Sequence, residues 1–326
     1  MPFAAPGELT FDQGVGLLRQ VAAFGDPPPN LILTGGDPLR RKDLFDLIDV
    51  ARRLSIPVSI TPAATPALTL EMLERLHNSG VSGLGLSLDG SCPELHDGIR
   101  GVPGTFARTM EALGWARDLG IPVQVNTLVS AETAPDLPAI YEVLKQYPIA
   151  RWSLFFLIAV GRGTVLDPLE SEAAERCMEW IYGISKTAPF IVATTEAPSY
   201  RRVAIDQMRA EGMTGEQIKR SPAARSFGIR DGHGIVFISA TGDICPAGFL
   251  PIVAGNIRKD DLVDIYRNAP LFASLHNPET FHDRCGVCEF RHVCGGSRAR
   301  AFSATGDPLG QDPICAHEPR QSATIG

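Results

Sequence analysis

Cysteine is missing from the first 91 residues of this chain, and all seven cysteines lie between Cys92 and Cys315. A disulfide framework spreads its cysteines through a small secreted domain, whereas a reducing cytosol keeps thiols free to bind metals. The uneven distribution therefore predicts a cytoplasmic protein with a metal site near its C-terminal end.

The chain also lacks basic tracts, long apolar runs and a recognisable export signal. Its net charge is −7 and no basic segment is interleaved with aromatic residues, which argues against a nucleic-acid partner. The longest strongly apolar run, residues 152–160, is far too short to cross a bilayer. The N-terminal residues do not combine a charged segment with a following apolar one, as a signal peptide does. We therefore expect neither a nucleic acid nor a membrane as a partner.

Apolar strand-like segments and amphipathic helix-like segments alternate through the first 200 residues. This alternation predicts βαβ units and therefore a parallel sheet. The predicted strands cover residues 30–34, 57–61, 83–87, 122–127, 152–158 and 190–194. The predicted helices cover residues 10–24, 42–54, 69–79, 105–119, 135–146 and 171–186.

Polar residues and glycines stand where several of these strands end. Gly35, Gly36 and Asp37 follow the first predicted strand, Ser87 ends the third, and Asn126 lies near the end of the fourth. A parallel α/β barrel builds its site at the carboxyl ends of its strands, so these residues are predicted to line a binding site. A doubly wound open sheet would place some of them similarly and stays open as the alternative.

The regular alternation of strand-like and helix-like segments ends at about residue 228. Residues 234–239 and 243–245 are typical of a hairpin, and short helices are predicted at 260–267 and 270–275. Residues 282–315 have little periodicity and would need a metal to become ordered. We therefore divide the chain into a barrel domain, residues 1–228, and a small cysteine-rich domain, residues 229–326.

Four cysteines of this second domain have spacings typical of a metal site. Cys285, Cys288 and Cys294 form a Cys-x2-Cys-x5-Cys pattern, and Cys315 follows after a gap of twenty residues. Zinc ribbons usually pair two Cys-x2-Cys units, whereas ligands of an iron–sulfur cluster can come from scattered loop positions. The spacing favours an iron–sulfur cluster and leaves zinc as the alternative.

Other single residues carry weaker signals. Cys245 could be a metal ligand or a buried thiol, and Cys92 and Cys177 are not expected to bind metal. Glu196 and Tyr200 follow a late strand and could face a substrate.

Two polar segments could bind charged groups of a ligand. The glycines before Asp37 would let a ligand approach the backbone, and carbonyls together with Asp37 could bind an ammonium group. Arg100 could pair with a carboxylate. Both interpretations compete with an ordinary turn and a capping network, in which His96 is structural.

Taken together, these motifs resemble the radical S-adenosylmethionine (radical SAM) enzymes that carry a C-terminal SPASM-type auxiliary-cluster domain, in particular the haem-biosynthesis branch. Residues 35–38, Gly-Gly-Asp-Pro, resemble the Gly-Gly-Glu-Pro motif of that family, with Asp37 in place of Glu. The resemblance implies that this motif contacts the amino group of S-adenosylmethionine. It also implies that Ser87 lies near the ribose and carboxylate of that cofactor, and that Arg100 binds the carboxylate.

The resemblance also implies a fold and an activity. The fold would be a partial (β/α)6 TIM-like barrel followed by the cysteine-rich SPASM-type domain. A reduced [4Fe–4S] cluster would pass an electron to S-adenosylmethionine, and the resulting 5′-deoxyadenosyl radical would modify a tetrapyrrole or a small peptide. The reductant would be a ferredoxin or flavodoxin, and the four tail cysteines would hold an auxiliary [4Fe–4S] cluster.

Two departures from the family pattern set further expectations. Arg298 stands where the full SPASM pattern has another cysteine, so one auxiliary cluster is expected. The Cys-x3-Cys-x2-Cys loop that holds the catalytic cluster is absent from this chain. We expect that the first barrel strand and this loop are missing because the chain is truncated, and that the chain as given is inactive. A non-catalytic iron–sulfur or zinc protein on the same fold is the alternative.

Overall fold

The computed structural model of the protein describes residues 6–224 and 228–319, and a six-stranded parallel sheet forms its centre. The strands are short and mostly apolar, as expected for a sheet with a covered face. They are β1 (Leu31–Leu33), β2 (Val58–Ile60), β3 (Gly83–Ser87), β4 (Val123–Val129), β5 (Arg151–Phe156) and β6 (Ile191–Thr195). All six predicted strands are present, with small shifts at their ends.

The strands lie in the sheet in the same order as in the chain, and every neighbouring pair is parallel. A doubly wound sheet reverses its order at a switch point, so the observed order excludes that alternative. In the described part of the chain β1 and β6 do not pair, and the sheet therefore stays open as part of a barrel. The predicted partial TIM-like barrel is confirmed.

Helices between the strands cover the outer face of this sheet. In the second helix Leu44, Ile48 and Ala51 are each at most 2% exposed, because residues spaced by three and four share one helical face. Among the helices of the described residues, none is both long and apolar enough to cross a membrane. The barrel helices are α1 (Phe11–Ala22), α2 (Leu44–Arg53), α3 (Leu70–Asn78), α4 (Pro93–Arg100), α5 (Thr105–Leu119), α6 (Leu137–Leu144), α7 (Ser171–Ser185), α8 (Tyr200–Ala210) and α9 (Gly215–Arg220).

Three of these helices, α4, α8 and α9, were not predicted. The sequence of α4 was interpreted as a polar turn, yet Pro93 starts the helix and Gly101, at φ 67°, ends it. Proline at the first helical position and glycine just past the last one are boundary signals of a short helix. The polar residues after β3 therefore belong to a helix and not to an irregular turn.

The inner face of the sheet carries polar side chains near its middle and apolar ones, Ile32 and Ile191, on its edge strands. Along β4, Val123 and Val125 are buried toward the helices, whereas Gln124 and Asn126 are half-buried on the opposite face. This alternation follows from the two-residue period of a strand. The helices cover only one face, so the inner face can present polar side chains to a ligand.

The chain after residue 228 forms a second unit that packs against the first. Its strands, β7 (Phe237–Ile238), β8 (Asp243–Cys245) and β9 (Gly255–Asn256), make a small antiparallel sheet, which contains the predicted hairpin. Its helices are α10 (Leu262–Asn268), α11 (Pro270–His276), α12 (Asp283–Val287) and α13 (Arg298–Thr305). Helix α13 was not predicted, and the division into two domains at residue 228 stays a prediction.

The second unit is tied to the N-terminal helix. The Leu9 amide donates to the Ala240 carbonyl at 2.8 Å, and the Leu262 amide donates to Oε1 of Gln20 at 2.8 Å. Ile244 of β8 is fully buried within the same hydrophobic core as the barrel helices. The two parts of the chain therefore share one continuous core.

Candidate functional site

The turn after β1 is open to a ligand. Gly35 has a φ of 90°, which favours glycine, and a Cβ added to Gly35 or Gly36 would meet no atom within 4 Å. The carboxylate of Asp37 accepts hydrogen bonds from the Leu39 amide at 3.2 Å and from the Thr65 hydroxyl at 2.9 Å. The backbone of this turn is accessible, and Asp37 is held in place by two donors.

Ser87, the last residue of β3, lies beside Asn126 in the middle of β4. They are register partners in the parallel ladder, and both are half-buried. The Asn126 Oδ1 accepts a hydrogen bond from Nε2 of Gln124 at 2.8 Å, so its amide group keeps donors for a further partner. The structure brings these two predicted residues together on the inner face.

Arg100, at the end of α4, already has a carboxylate partner within the protein. Its Nη2 lies 2.6 Å from Oδ2 of Asp89, which is only 2% exposed and accepts the Leu128 amide at 2.7 Å through its other oxygen. The Nε of Arg100 is buried and has no hydrogen-bond partner among the described residues. The Arg100 side chain is 35% exposed, so the exposed part of its guanidinium fits a carboxylate ligand.

His96 has the structural role that the sequence left open. It is 1% exposed, and its Nδ1 accepts a hydrogen bond from the Asp89 amide at 2.9 Å. Burial lowers the pKa of His96, since the charged ring would lose its hydration. The neutral ring thus orients the strand end that carries Asp89.

The four tail cysteines line one pocket. Cys285 comes from α12, Cys288 follows it directly, Cys294 precedes a glycine pair, and Cys315 arrives from the last described segment. The Sγ atoms of Cys288 and Cys294 accept backbone hydrogen bonds, each at 3.4 Å, from the residues two positions later. Backbone donors to sulfur are typical of cluster-binding loops, and four converging thiols fit an iron–sulfur cluster or a zinc ion.

Burial disfavours the thiolate form of three of these cysteines in the absence of metal. It raises the pKa of Cys294 most, and it also raises the pKa values of Cys288 and Cys315. A metal ligand must be a thiolate, so metal binding here releases protons. Metal and protons therefore compete for this pocket.

A histidine near the pocket was missed in the sequence analysis. The ligand atoms of Cys288, Glu289 and His317 lie within 4.8 Å of one another, and His317 Nε2 is 3.2 Å from Oε1 of Glu289. Its position two residues after Cys315 was the only available signal in the sequence. Its pairing with Glu289 places His317 at the rim of the cysteine pocket.

The other three cysteines lie apart from this pocket. Cys92 precedes α4, Cys177 lies within α7, and Cys245 is buried at the end of β8. Burial raises the pKa of the Cys177 thiol to about 12, as in an inert core residue. Whether Cys245 binds metal stays a prediction.

The carboxyl end of β6 is joined to the start of α13. Glu196, at φ 57°, accepts a hydrogen bond from the Ser297 hydroxyl at 2.6 Å, and Arg300 donates to the Glu196 carbonyl at 2.7 Å. Buried Asp231, beside Glu196, accepts the Ala299 amide at 2.8 Å. Burial and the adjacent Asp231 raise the pKa of Glu196 to about 8. The two carboxyl groups therefore retain a proton at neutral pH.

Tyr200 does not lie with Glu196 at this junction. It begins α8, and its hydroxyl donates to the Ser185 hydroxyl at 3.4 Å. The hydroxyl therefore points to α7, and the weak prediction that Tyr200 faces a substrate stays untested.

Comparisons with known proteins agree with this geometry. Residues 3–144 match the family model described as the Radical SAM superfamily. The chain is 36% identical, over 313 residues, to the AdoMet-dependent heme synthase of Methanosarcina barkeri (strain Fusaro / DSM 804), covering 96% of this chain and 89% of that protein. It is 26% identical, over 327 residues, to the PqqA peptide cyclase of Rhodopseudomonas palustris (strain ATCC BAA-98 / CGA009), covering 96% and 80%.

A solved structure shares the fold. The crystal structure of Streptococcus suis SuiB bound to S-adenosylmethionine matches with a TM-score of 0.69 and 19% identity, covering 94% of this chain and 70% of that one. At this level of identity the similarity concerns the fold alone. It extends over both the partial barrel and the cysteine-rich tail.

Proposed function

This chain belongs to the radical SAM superfamily, and from that membership we propose that it binds S-adenosylmethionine and one auxiliary [4Fe–4S] cluster and acts on a tetrapyrrole. The observation that carries the cluster assignment is the convergence of Cys285, Cys288, Cys294 and Cys315 on one pocket. The tetrapyrrole is favoured over a peptide because identity to the heme synthase is higher than to the peptide cyclase at equal coverage of this chain.

S-adenosylmethionine would bind along the carboxyl edge of the sheet. The open turn at Gly35 and Gly36, together with Asp37, would hold its amino group. Ser87 and Asn126 offer hydroxyl and amide groups for the ribose, and Arg100 offers the exposed part of its guanidinium to the carboxylate. When bound, this cofactor supplies the organic radical precursor of the superfamily's chemistry.

The residues of this chain do not fit a second, catalytic cluster. Such a cluster needs three closely spaced cysteines, whereas Cys92, Cys177 and Cys245 lie in separate elements of the described structure. We derive no radical-forming step for these 326 residues, and we propose that by themselves they do not cleave S-adenosylmethionine reductively. The same observation favours a second candidate function, a non-catalytic metalloprotein that binds the tetrapyrrole.

A cleavage assay tests the proposed inactivity of these residues, which both candidates share. The cluster-loaded chain is incubated with S-adenosylmethionine and dithionite, and 5′-deoxyadenosine is measured by liquid chromatography. We expect no product above the level formed without protein. Sustained formation of 5′-deoxyadenosine would contradict the proposed inactivity and exclude the non-catalytic alternative.

A binding experiment tests the substrate class. Iron coproporphyrin III is titrated into the anaerobic, cluster-loaded protein, and a saturable change of the tetrapyrrole absorbance is expected. Asn126→Trp fills the inner face and should weaken this binding at least about tenfold, which is 1.4 kcal/mol. Gln146→Trp, on the exposed outer surface, is the matched control and should not change it. No saturable change, or equal effects of both variants, would contradict a tetrapyrrole site on the inner face.

A further inference from the structure

Arg298 is a fully buried cation without a carboxylate partner. It is 0% exposed at the first position of α13, and its guanidinium donates to the carbonyls of Gly296 at 3.3 Å, Pro308 at 3.0 Å and Gly310 at 2.7 Å. Among the described residues no carboxylate oxygen lies within 4.0 Å of it, whereas Arg300, two positions later, pairs with Asp312 at 3.3 Å. The carbonyls satisfy its donors but do not neutralise its charge.

The remaining donor of Arg298 points to a cysteine of the pocket. Its Nη2 lies 3.5 Å from Sγ of Cys285. The guanidinium also lies over the ring of Phe281, with its central carbon 4.6 Å from the ring centroid. This stacking and the carbonyl contacts fix the plane of the guanidinium, so the approach to sulfur is built into the fold.

A glycine makes this approach sterically feasible. A Cβ added to Gly296 would lie 2.5 Å from Nη2 of Arg298 and 3.1 Å from Sγ of Cys285. Any other residue would therefore separate the cation from the sulfur. Gly296 also has a φ of 65°, which side-chain-bearing residues rarely adopt. Backbone and side chains are thus arranged so that the guanidinium reaches the thiol.

A buried, uncompensated cation is costly unless an anion accompanies it. An arginine cannot lose its proton to avoid this cost. Four thiolates around an iron–sulfur core leave the centre negatively charged, so such a centre supplies an anion beside Arg298. Reduction of such a centre makes it one unit more negative.

We propose that Arg298 is the counterion of the metal centre held by Cys285, Cys288, Cys294 and Cys315, and that it raises the reduction potential of that centre through an N–H···S hydrogen bond to Cys285. A nearby cation stabilises the more negative, reduced state, and hydrogen bonds to the sulfurs act in the same direction. This inference rests on the proposed cluster. It gives a function to the position at which the family pattern would have a further cysteine.

Two neighbouring arginines do not fill this role. Arg202 is 4% exposed and lies near the cysteines, but its guanidinium pairs with both oxygens of Glu175, one of them at 2.7 Å. Arg284 lines the pocket, but it is partly exposed and pairs with Glu318 at 2.9 Å. Each of these two arginines forms a direct ion pair with a carboxylate, whereas Arg298 has no carboxylate oxygen within 4.0 Å among the described residues and feels Asp231 and Asp307 only at longer range.

The test is a redox titration of cluster-loaded protein, followed by electron paramagnetic resonance. Wild type, Arg298→Gln, Arg298→Lys and the control Arg52→Gln, on the exposed surface of α2, are compared after iron analysis of each preparation. At a fixed potential, Arg298→Gln should lower the ratio of reduced to oxidised centre about tenfold, which is about 59 mV for a one-electron couple. Arg298→Lys should lie between wild type and Arg298→Gln, because an ammonium keeps the charge but not the planar fork. Arg52→Gln should stay close to wild type.

The possible outcomes distinguish failure of the counterion role from failure of the cluster assignment on which it rests. An unchanged or raised midpoint potential in iron-replete Arg298→Gln would overturn the counterion role and leave the cluster assignment intact. If Arg298→Gln does not fold, Arg298→Lys decides: a lowered midpoint supports the proposal, and a midpoint equal to that of wild type overturns it. A wild-type protein that binds zinc and no iron would refute the cluster assignment instead.

Discussion

The carboxyl edge of the barrel and the cysteine pocket of the tail differ in how their polar groups are supported. The edge presents polar groups such as Asn126 and Arg100 on a scaffold whose apolar core is already complete. The pocket buries cysteines and a cation under short elements that have few apolar side chains of their own. Although the two regions share one core, we expect the first to be stable before it binds anything and the second to depend on what it binds.

The largest effect is expected when a cysteine of the metal pocket is replaced. Cys294→Ala, and likewise alanine at Cys285, Cys288 or Cys315, should remove most of the roughly four irons per chain and disorder the tail, because metal binding is coupled to folding there. Iron analysis and limited proteolysis measure this. Cys177→Ala is the control and should keep full iron content. Retention of iron by any of the four variants would contradict the ligand set.

The second prediction tests whether the stability of the barrel core depends on the metal in the tail. Ile48→Ala should lower the free energy of unfolding by about 2–5 kcal/mol, because Ile48 is 1% exposed and its truncation leaves a cavity. The loss should be equal in cluster-loaded and metal-free protein, as measured by chemical denaturation. A loss that depends on the metal would mean that the barrel core is not independent of the tail.

The third prediction concerns the junction at Glu196. An acid whose folded-state pKa is raised stabilises the fold below its unfolded pKa and loses that contribution as pH rises through the folded pKa. With 4.5 as the unfolded value and about 8 as the folded one, stability should fall between these pH values by at most about 1.4 kcal/mol per pH unit.

Glu196→Gln removes the titrating carboxyl, so the free energy of unfolding should depend less on pH. The variant should be more stable than the wild type at pH 8. Denaturation curves at pH 5, 6, 7 and 8 measure the slope. Asp231, Arg298 and Arg300 also influence this junction and stay unchanged in the variant. An identical slope in wild type and variant would show that Glu196 is ionised in the folded state.

The smallest expected effect concerns the cofactor edge. Arg100→Lys keeps a cation for Asp89 but removes the planar guanidinium that can bind two carboxylates at once, so binding of S-adenosylmethionine should weaken about tenfold, or 1.4 kcal/mol. Isothermal titration calorimetry measures this. Arg117→Lys, on the exposed surface of α5, is the matched control. Equal affinities of the two variants would remove Arg100 from the proposed site.

The sequence predicted the barrel well because its signal is periodic. Apolar residues at helical or strand spacing marked all six strands and most barrel helices, and the strand ends placed Ser87 beside Asn126. Helix α4 escaped detection because it is short and polar, with Gly98 inside it.

The burial of Arg298 could not be predicted, because burial of a cation contradicts the usual preference of arginine for the surface. The contact between Glu196 and Ser297 could not be predicted either, because these residues are 101 positions apart in the chain. Contacts of this kind depend on how distant segments meet, and no local pattern encodes them.

The contacts of the N-terminal helix α1 have a consequence for synthesis of the protein. Gln20 of α1 binds the amide of Leu262, which lies 242 residues later in the chain. At ribosomal rates of about 5–20 residues per second, roughly 12 to 48 seconds pass before that partner exists. During this interval the face of α1 that later contacts the second unit is exposed. A chaperone that holds unfolded chains could bind this face.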